Sequence, residues 1–469
     1  MPTQPISFGL EYRPGRYGPE GGAKIINAII EQTGEDAKAP WVVYSRPGLQ
    51  PFSSLGSTGG FRGGIALDDV GYIVNGNTVN KVTSTGVVTG VGTFTGDDPV
   101  RMARNRKSPN AQIAIVSAGL RSIIENDTVT AISDEDLPNP VDVCSIGGYF
   151  VFAIPDGRFF WTAIDEGTDI SALDFASAEA NPDGLVGCID RVQEVVLFGN
   201  RSTEFYSLTG SSFVFERVPQ TTINIGCLSV DAIQSINGIV IFPASDGTVR
   251  MLSDYSPMRV SHHDVERDIR ALSNKATMRA DTFSLDGHQY YALSSASWTW
   301  VLDLTTQKWL RWESYGKSRW IAQGCVELDG QSVMGNFEDN NLYTLNADWD
   351  QDGTSYLVWK MISGTIGAFP NPVIIQDLYL DILTGVGINS ANTFESDPTV
   401  TLRVSTDDGG SWSSEMRAPV GKMADMAREV RFPRLGRTGM DGMKLELSMA
   451  APVNKALVRA SIRYTPTRV

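Results

Sequence analysis

The stretch Val195–Leu208, VVLFGNRSTEFYSL, places four apolar residues in a row, then a polar turn, then alternating positions. Gly, Asn and Ser in GNRS are residues that tight turns favour, so the pattern predicts a β-hairpin. Comparable units begin at Tyr72, Ala114, Phe150, Val195, Ile239, Tyr291 and Gln331, separated by 42, 36, 45, 44, 52 and 40 residues. A period of roughly 40–45 residues with about four short strands per unit predicts a β-propeller. Each unit alone would leave a sheet face exposed; radial packing buries both faces and a closed ring leaves only short edges. The fold class expected is therefore all-β, with six or seven blades spanning residues 58–353. A row of unrelated β-sandwich domains is the competing architecture, and the steady spacing disfavours it.

Two segments lie outside the array. Residues 1–57 are rich in Pro and Gly; within them Ile25, Ile26, Ile29 and Ile30 recur at helical spacing and predict a short helix over Ala23–Gln32. A strand, WVVYSRPGLQPF, follows and turns at Pro47 and Gly48. Residues 354–469 read as strands again, and TLRVSTD and KLELSMA alternate as strands with one wet face do. A small β-sandwich is expected there. GVGINSANTFESDPT, between two of its strands, reads as an exposed loop.

Composition narrows the function classes. With 42% hydrophobic and 20% charged residues in 469, the chain has ample core and is not disordered. Its longest apolar runs fall under ten residues, short of the ~20 that a membrane helix needs, and its N-terminus lacks the pattern of a signal peptide. Cys144, Cys188, Cys227 and Cys325 lie far apart with no CxxC, which predicts free, buried thiols in a protein made in a reducing cytoplasm. A net charge of −15 argues against a phosphate-gripping protein as a whole.

Local motifs point weakly to chemistry. Ser405, Asp407, Gly409 and Trp412 match the S-x-D-x-G-x-x-W pattern of an Asp-box hairpin, a self-stapled turn that sialidase propellers also carry. A sialidase-type site needs an arginine cluster, for which Arg158, Arg201, Arg250 and Arg311 are the candidates. His262, His263 and Asp264 are consecutive; on a strand the two rings would point to opposite faces, and with only His288 besides, no metal site is expected. The acidic stretches ISDEDLP and NADWDQDG, the latter with Asp348, Asp350 and Asp352, read as solvated loops, with calcium as the alternative. Arg101, Arg104, Arg106 and Lys107 form the one dense basic run, suited to a subunit contact, a solvated loop or phosphate. GxGxxG, Walker and G-x-S-x-G signatures are missing, so no cofactor is expected.

One segment, Asn181–Gly210, resembles the packaged-DNA stabilisation proteins of short-tailed bacteriophages, also called tail hub or nozzle proteins. The matching residues are the Asp183-Gly184-Leu185 turn, the VVLFGN strand, and Glu204, Phe205, Tyr206, Ser207, Leu208, Thr209 and Gly210. SRPGLQPF near Ser45 and RVSTDDGGSW near Arg403 resemble flanking family features, and length and order of parts agree. The resemblance implies a virion protein and no enzyme. It implies six copies in a tube below the portal and head-to-tail adaptor, retaining packaged genome and conducting it at infection. A β-sandwich platform from the C-terminal segment and part of the N-terminus would meet the adaptor. Tail spikes or fibres would attach to the side, a needle or plug would close the end, and genomic DNA would pass without sequence-specific binding or any membrane. Arg46, Pro47 and Gly48, with the basic run, are the expected interface residues. A glycan-binding or glycan-cleaving tail propeller and a cytosolic scaffold remain as alternatives.

Overall fold

The computed structural model describes residues 2–17, 20, 22–178, 181, 183–210 and 213–467, and it is built almost wholly of strands. It divides into two compact units: a propeller unit, Pro51–Ala296 with Ile321–Thr344, and a sandwich unit, Met1–Gln50 with Ser297–Trp320 and Leu345–Val469. The segment Ser297–Trp320, which the repeat spacing placed inside the array, belongs to the second unit.

The propeller unit holds five complete four-stranded antiparallel sheets, between Phe61 and Arg259. A sixth sheet contributes Arg279–Leu285 and His288–Ser294, and a seventh contributes Ala322–Leu328, Gln331–Asn336 and the start of Asn341–Asn346. The innermost strands follow one another around a ring, the turn Val230–Ala232 linking Leu185–Arg191 to Arg279–Leu285, and the last, Ala322–Leu328, touches the first, Phe61–Leu67. The array is therefore a closed seven-bladed propeller. Closure is sealed by packing: Leu55, Phe61 and Ile73 share a core with Val326, Val333 and Leu342. The ring of Phe61 occupies space that only glycine leaves, since a Cβ on Gly324 or Gly335 would come within 1.9 or 2.2 Å of it. Leu55 also donates its N–H to Asn340 O at 2.9 Å, fastening the incoming chain to the last blade.

The VVLF run is explained by this ring. Glu194–Gly199 and Thr203–Leu208 are the second and third strands of the fourth blade. Val195, Leu197 and Tyr206 pack with the third blade, while Val196, Phe198 and Phe205 pack toward the fifth. Successive side chains point to opposite faces. Both faces being buried, the four positions of the VVLF run are all apolar.

The sandwich unit pairs two sheets. One runs Ala28–Gln32, Trp41–Ser45, Ala456–Pro466, Val373–Ile382, Val430–Arg437, with Thr3–Ile6 also on Ala456–Pro466. Within this unit the other runs Thr299–Asp303, Lys308–Arg311, Lys24–Ile26, Trp359–Ile362, Lys444–Met449, Thr399–Ser405, Met416–Pro419. The helix expected over Ala23–Gln32 is thus two strands, broken at Asn27 with φ +57°. Isoleucine is stiff and favours strands, and Asn tolerates the left-handed region. Ile25, Ala28 and Ile30 are fully buried, so spacing consistent with a helix hid a strand pattern interrupted by one kink.

The centre of this unit is polar and dry. Arg46 and Asp352 form a bidentate ion pair at 2.9 and 2.6 Å, both side chains wholly inaccessible. Arg46 also donates to Asn27 Oδ1 (3.0 Å) and Pro47 O (2.9 Å), and its guanidinium lies over the rings of Trp312 and Trp320. Beside it, Lys455 and Ser45 both donate to Asp350 Oδ1 at 3.1 Å. Burial lowers the pKa of Lys455, with Asp350 opposing the shift. Two corrections follow. Arg46, Pro47 and Gly48 are buried and cannot offer side chains to an interface. Asp350 and Asp352 belong to no solvated or calcium-binding loop; each neutralises a buried cation.

Removing one partner strands the other charge without water, a loss of about 3–5 kcal/mol. Arg46→Met is expected to lower stability by that amount, and Arg46→Met with Asp352→Leu to recover most of it. Urea unfolding followed by tryptophan fluorescence measures both, because Trp312 and Trp320 flank the guanidinium.

Candidate functional site on the propeller axis

The seven inner strands enclose a cavity of about 1010 Å³ along the axis of the propeller unit. Six cationic side chains reach its wall, Arg62, Arg101, Arg104, Arg106, Lys107 and Arg279, against four aspartates. Asp142, Glu125 and Glu166 pair with two of these cations from beside the wall, so charges of both signs gather at the axis of a chain whose net charge is −15. The sequence singled out only the Arg101–Lys107 run. Arg62, Asp142 and Arg279 sit at or next to the start of an inner strand, and nothing in their local sequence marks them as facing the axis.

Most of these charges are engaged. Arg101 Nε donates to Asp142 Oδ1 at 2.9 Å, and Asp142 also accepts from the N–H groups of Val143 (2.8 Å) and Cys188 (2.9 Å). Burial opposes the charge on Arg101, but Asp142 and Asp231 outweigh it and hold its pKa above the usual value. Arg62 Nε and Nη1 donate to the carbonyls of Asp98, Gly76 and Phe94 at 2.7–2.9 Å. Lys107 pairs with Glu125 at 3.0 Å and Glu166 at 3.1 Å. Arg279 reaches Phe61 O at 3.4 Å, and burial lowers its pKa. Burial pushes Asp231 up to about 6, with Arg101 and Arg279 pulling the other way.

The wall carries no histidine among the described residues. Its thiols are passive, since burial raises Cys188 and Cys325 well above the ordinary cysteine value. All four cysteines are free, but Cys325 is only half-buried by accessibility, against the expectation that all are buried.

The other sequence candidates lie elsewhere. Asp183 caps the turn of the fourth blade: its carboxylate accepts from Arg201 N (2.6 Å), Ser202 N (3.1 Å) and Ser202 Oγ (2.8 Å). Gly184 is required because a Cβ there would meet Pro155 O at 2.3 Å. Glu204 is buried against Arg217 at 3.1 Å, Phe205 is core, and Tyr206 donates its hydroxyl to Ser177 O at 2.8 Å. Ser207 Oγ donates to Glu216 O (3.3 Å), Leu208 touches the cavity wall, Thr209 bonds Phe213 O, and Gly210 turns at φ +66°. Pro182 of the same segment lies outside the described residues. These contacts brace the fourth blade.

In the sandwich unit Ser405 Oγ donates to Asp407 Oδ1 (2.7 Å) and accepts from Gly409 N (2.8 Å), while Asp407 accepts from Ser411 N and Oγ. These bonds, led by Ser411, hold Asp407 at about 2. Gly409 has φ +93°, and Arg403 lies over the ring of Trp412. The hairpin is closed on itself. Arg158 is taken by Asp156 (2.7 Å) and Arg250 by Asp246 (2.7 Å), and neither they nor Arg201 nor Arg311 reach the axial cavity, so the arginine cluster of a glycan site does not form there. His262 and His263 are not on a strand: His262 caps the helix His263–Ala271, its Nδ1 accepting from Asp264 N at 3.2 Å. Among the described residues no group of three His, Cys, Asp or Glu is placed to hold a metal, and no helix is long and apolar enough to cross a membrane.

Comparison with known proteins follows the fold. The family described as "Bacteriophage P22 Gp10, beta-propeller" matches residues 32–350. No curated protein matches the chain significantly. Among solved structures, a streptogramin B lyase is 12% identical over 64% of this chain and 97% of its own, with a TM-score of 0.44. The WD40 β-propeller domain of Doa1 is 10% identical over 64% of this chain and 97% of its own, with a TM-score of 0.40. The computationally designed Ika8 protein is 12% identical over 63% and 99%, with a TM-score of 0.39.

Asp231 yields a pH test. Its folded pKa of about 6 lies above the ~3.9 of an unfolded aspartate. Above pH 6 it is ionised in both states and the fold carries the cost; below pH 4 it is protonated in both and the cost is gone. Asp231→Asn is expected to stabilise by up to roughly 3 kcal/mol at pH 7.5, with the gain fading between pH 6 and pH 4. Thermal unfolding at three pH values reads this directly.

Proposed function

We propose, from the premise that this chain belongs to the family described as Bacteriophage P22 Gp10, beta-propeller, that it is the tail nozzle of a short-tailed phage. That membership makes it a structural protein of phage DNA stabilisation and a virion component. In the finer reading, six copies form a tube below the portal and head-to-tail adaptor, and the tube retains the packaged genome and conducts it at ejection. Spikes or fibres attach outside, and a needle or plug closes the end. The chain is made in the host cytoplasm and has no catalytic task.

The observation that carries the tubular reading, beyond the family itself, is the width of the axis. Inner strands of about six residues span ~20 Å at ~3.3 Å per residue. A volume of about 1010 Å³ open to the centres of water molecules, over that length, corresponds to a bore about 11 Å wide once a water radius of ~1.4 Å is added on each side. The major groove of B-DNA alone is about 12 Å across. A duplex therefore cannot run through a propeller, and a conduit made by this protein has to be enclosed between copies. Six chains of −15 carry −90; a lumen sharing that sign repels phosphate, so the genome slides without sticking.

Light scattering of the purified native protein, alone and with a portal–adaptor complex, tests this. A species carrying six copies is expected when the complex is present. A chain that stays monomeric with the complex overturns the nozzle reading, and a screen against sialosides and host polysaccharide then tests a glycan-active propeller.

A further inference from the structure

We propose that the mouth of the axial cavity binds a small oxyanion, phosphate or carboxylate, between Arg104 and Arg106. The inference concerns the propeller unit alone and is independent of the assembly proposed above. It begins with the loop that carries these residues. Asn105 N–H donates to Gln112 O at 3.0 Å, Asn105 Nδ2 to Gln112 Oε1 at 2.9 Å, and Gln112 N–H returns to Asn105 Oδ1 at 2.7 Å. Both amides are buried. Gln112 in turn donates to Glu125 at 2.9 Å and accepts from Gly167 N at 2.8 Å. Lys107 adds ion pairs to Glu125 and Glu166, so the loop is braced from the second and third blades together.

This bracing leaves a definite remainder. Arg101 and Lys107 are neutralised, Arg62 is bonded to three carbonyls, and Arg279 is turned to a carbonyl. Among the described residues Arg104 and Arg106 make no side-chain hydrogen bond or ion pair, and the four aspartates of the wall lie outside ion-pair distance of both. Both are exposed to the cavity. Two unpaired guanidiniums on one rigid loop repel each other, and surrounding low-dielectric walls focus their field into the cavity. A guanidinium presents a planar fork that fits the two oxygens of a carboxylate or phosphate. Asp142 neutralises Arg101 from the neighbouring blade; at Arg104 and Arg106 an oxyanion from solution or from a partner's acidic chain end completes the pair.

Titration calorimetry at low ionic strength tests it, with inorganic phosphate in one arm and a tetraglutamate peptide in the other to tell the two sources apart. Saturable binding is expected in at least one arm, weakening with added salt as exposed charge pairs do, and falling roughly tenfold or more in Arg104→Gln/Arg106→Gln. Arg201→Gln, an exposed arginine outside the cavity, is the control and leaves binding unchanged. Both altered positions are solvent-exposed, and unchanged melting temperature without ligand confirms that the variants fold. No saturable binding in either arm, or equal loss in the control, overturns the proposal.

Discussion

The sandwich unit depends on one dry ion pair. Arg46 and Asp352 meet where water does not reach, so each is tolerable only because the other is there. Around them Asn27, Ser314 and the rings of Trp312 and Trp320 supply the remaining contacts. These residues come from the N-terminal segment, from Ser297–Trp320 and from the region after Leu345. The chain leaves the unit after Gln50 and returns twice. A purely apolar junction would accept many packings of three such segments; a bidentate pair accepts one geometry. Lys455 with Asp350 and Ser45 repeats the device with a fourth element, close to the C-terminus. The pairs thus work less as a source of net stability than as a fixed register for a discontinuous fold.

The propeller unit solves a different problem. Its blades share apolar faces, and the continuous VVLF run records burial on both sides. The charges are moved to the axis, where inner strands converge and no blade core is disturbed. Satisfying them takes local devices: carbonyls for Arg62, one carboxylate for Arg101, two for Lys107. A rigid ring with a polar, narrow axis is a poor conduit for a duplex, which is the physical ground on which a genome channel between copies was proposed.

Much of this was legible in the sequence, and the rest failed for specific reasons. The repeat was readable because turn residues and apolar runs recur at a spacing that only radial packing explains. Ile25 to Ile30 misled because a short isoleucine-rich run fits both periods, and the deciding feature, Asn27 in a left-handed conformation, is a tertiary detail. Asp350 and Asp352 resembled a cation loop because alternating aspartates carry no mark of what they face; their partners, Arg46 and Lys455, are about a hundred to three hundred residues away. Asp183 looked like part of a family signature and is a cap for a turn 18 residues on. The segment Ser297–Trp320 carries the repeat's strand pattern yet serves the sandwich, and strand pattern alone cannot assign a strand to a unit.

Charge shows the same limit most clearly. A total of −15 correctly argues against a protein that grips phosphate over its whole surface. It says nothing about a particular wall, because potential falls off within about a Debye length of ~8–10 Å. At the axis the nearest charges decide, and there the bracing by Asn105, Gln112 and Lys107 holds Arg104 and Arg106 where no aspartate of the wall pairs with them. An acidic protein can therefore repel a polyanion along its bulk and still receive a single oxyanion at one braced loop. The two behaviours act on different length scales, so neither contradicts the other.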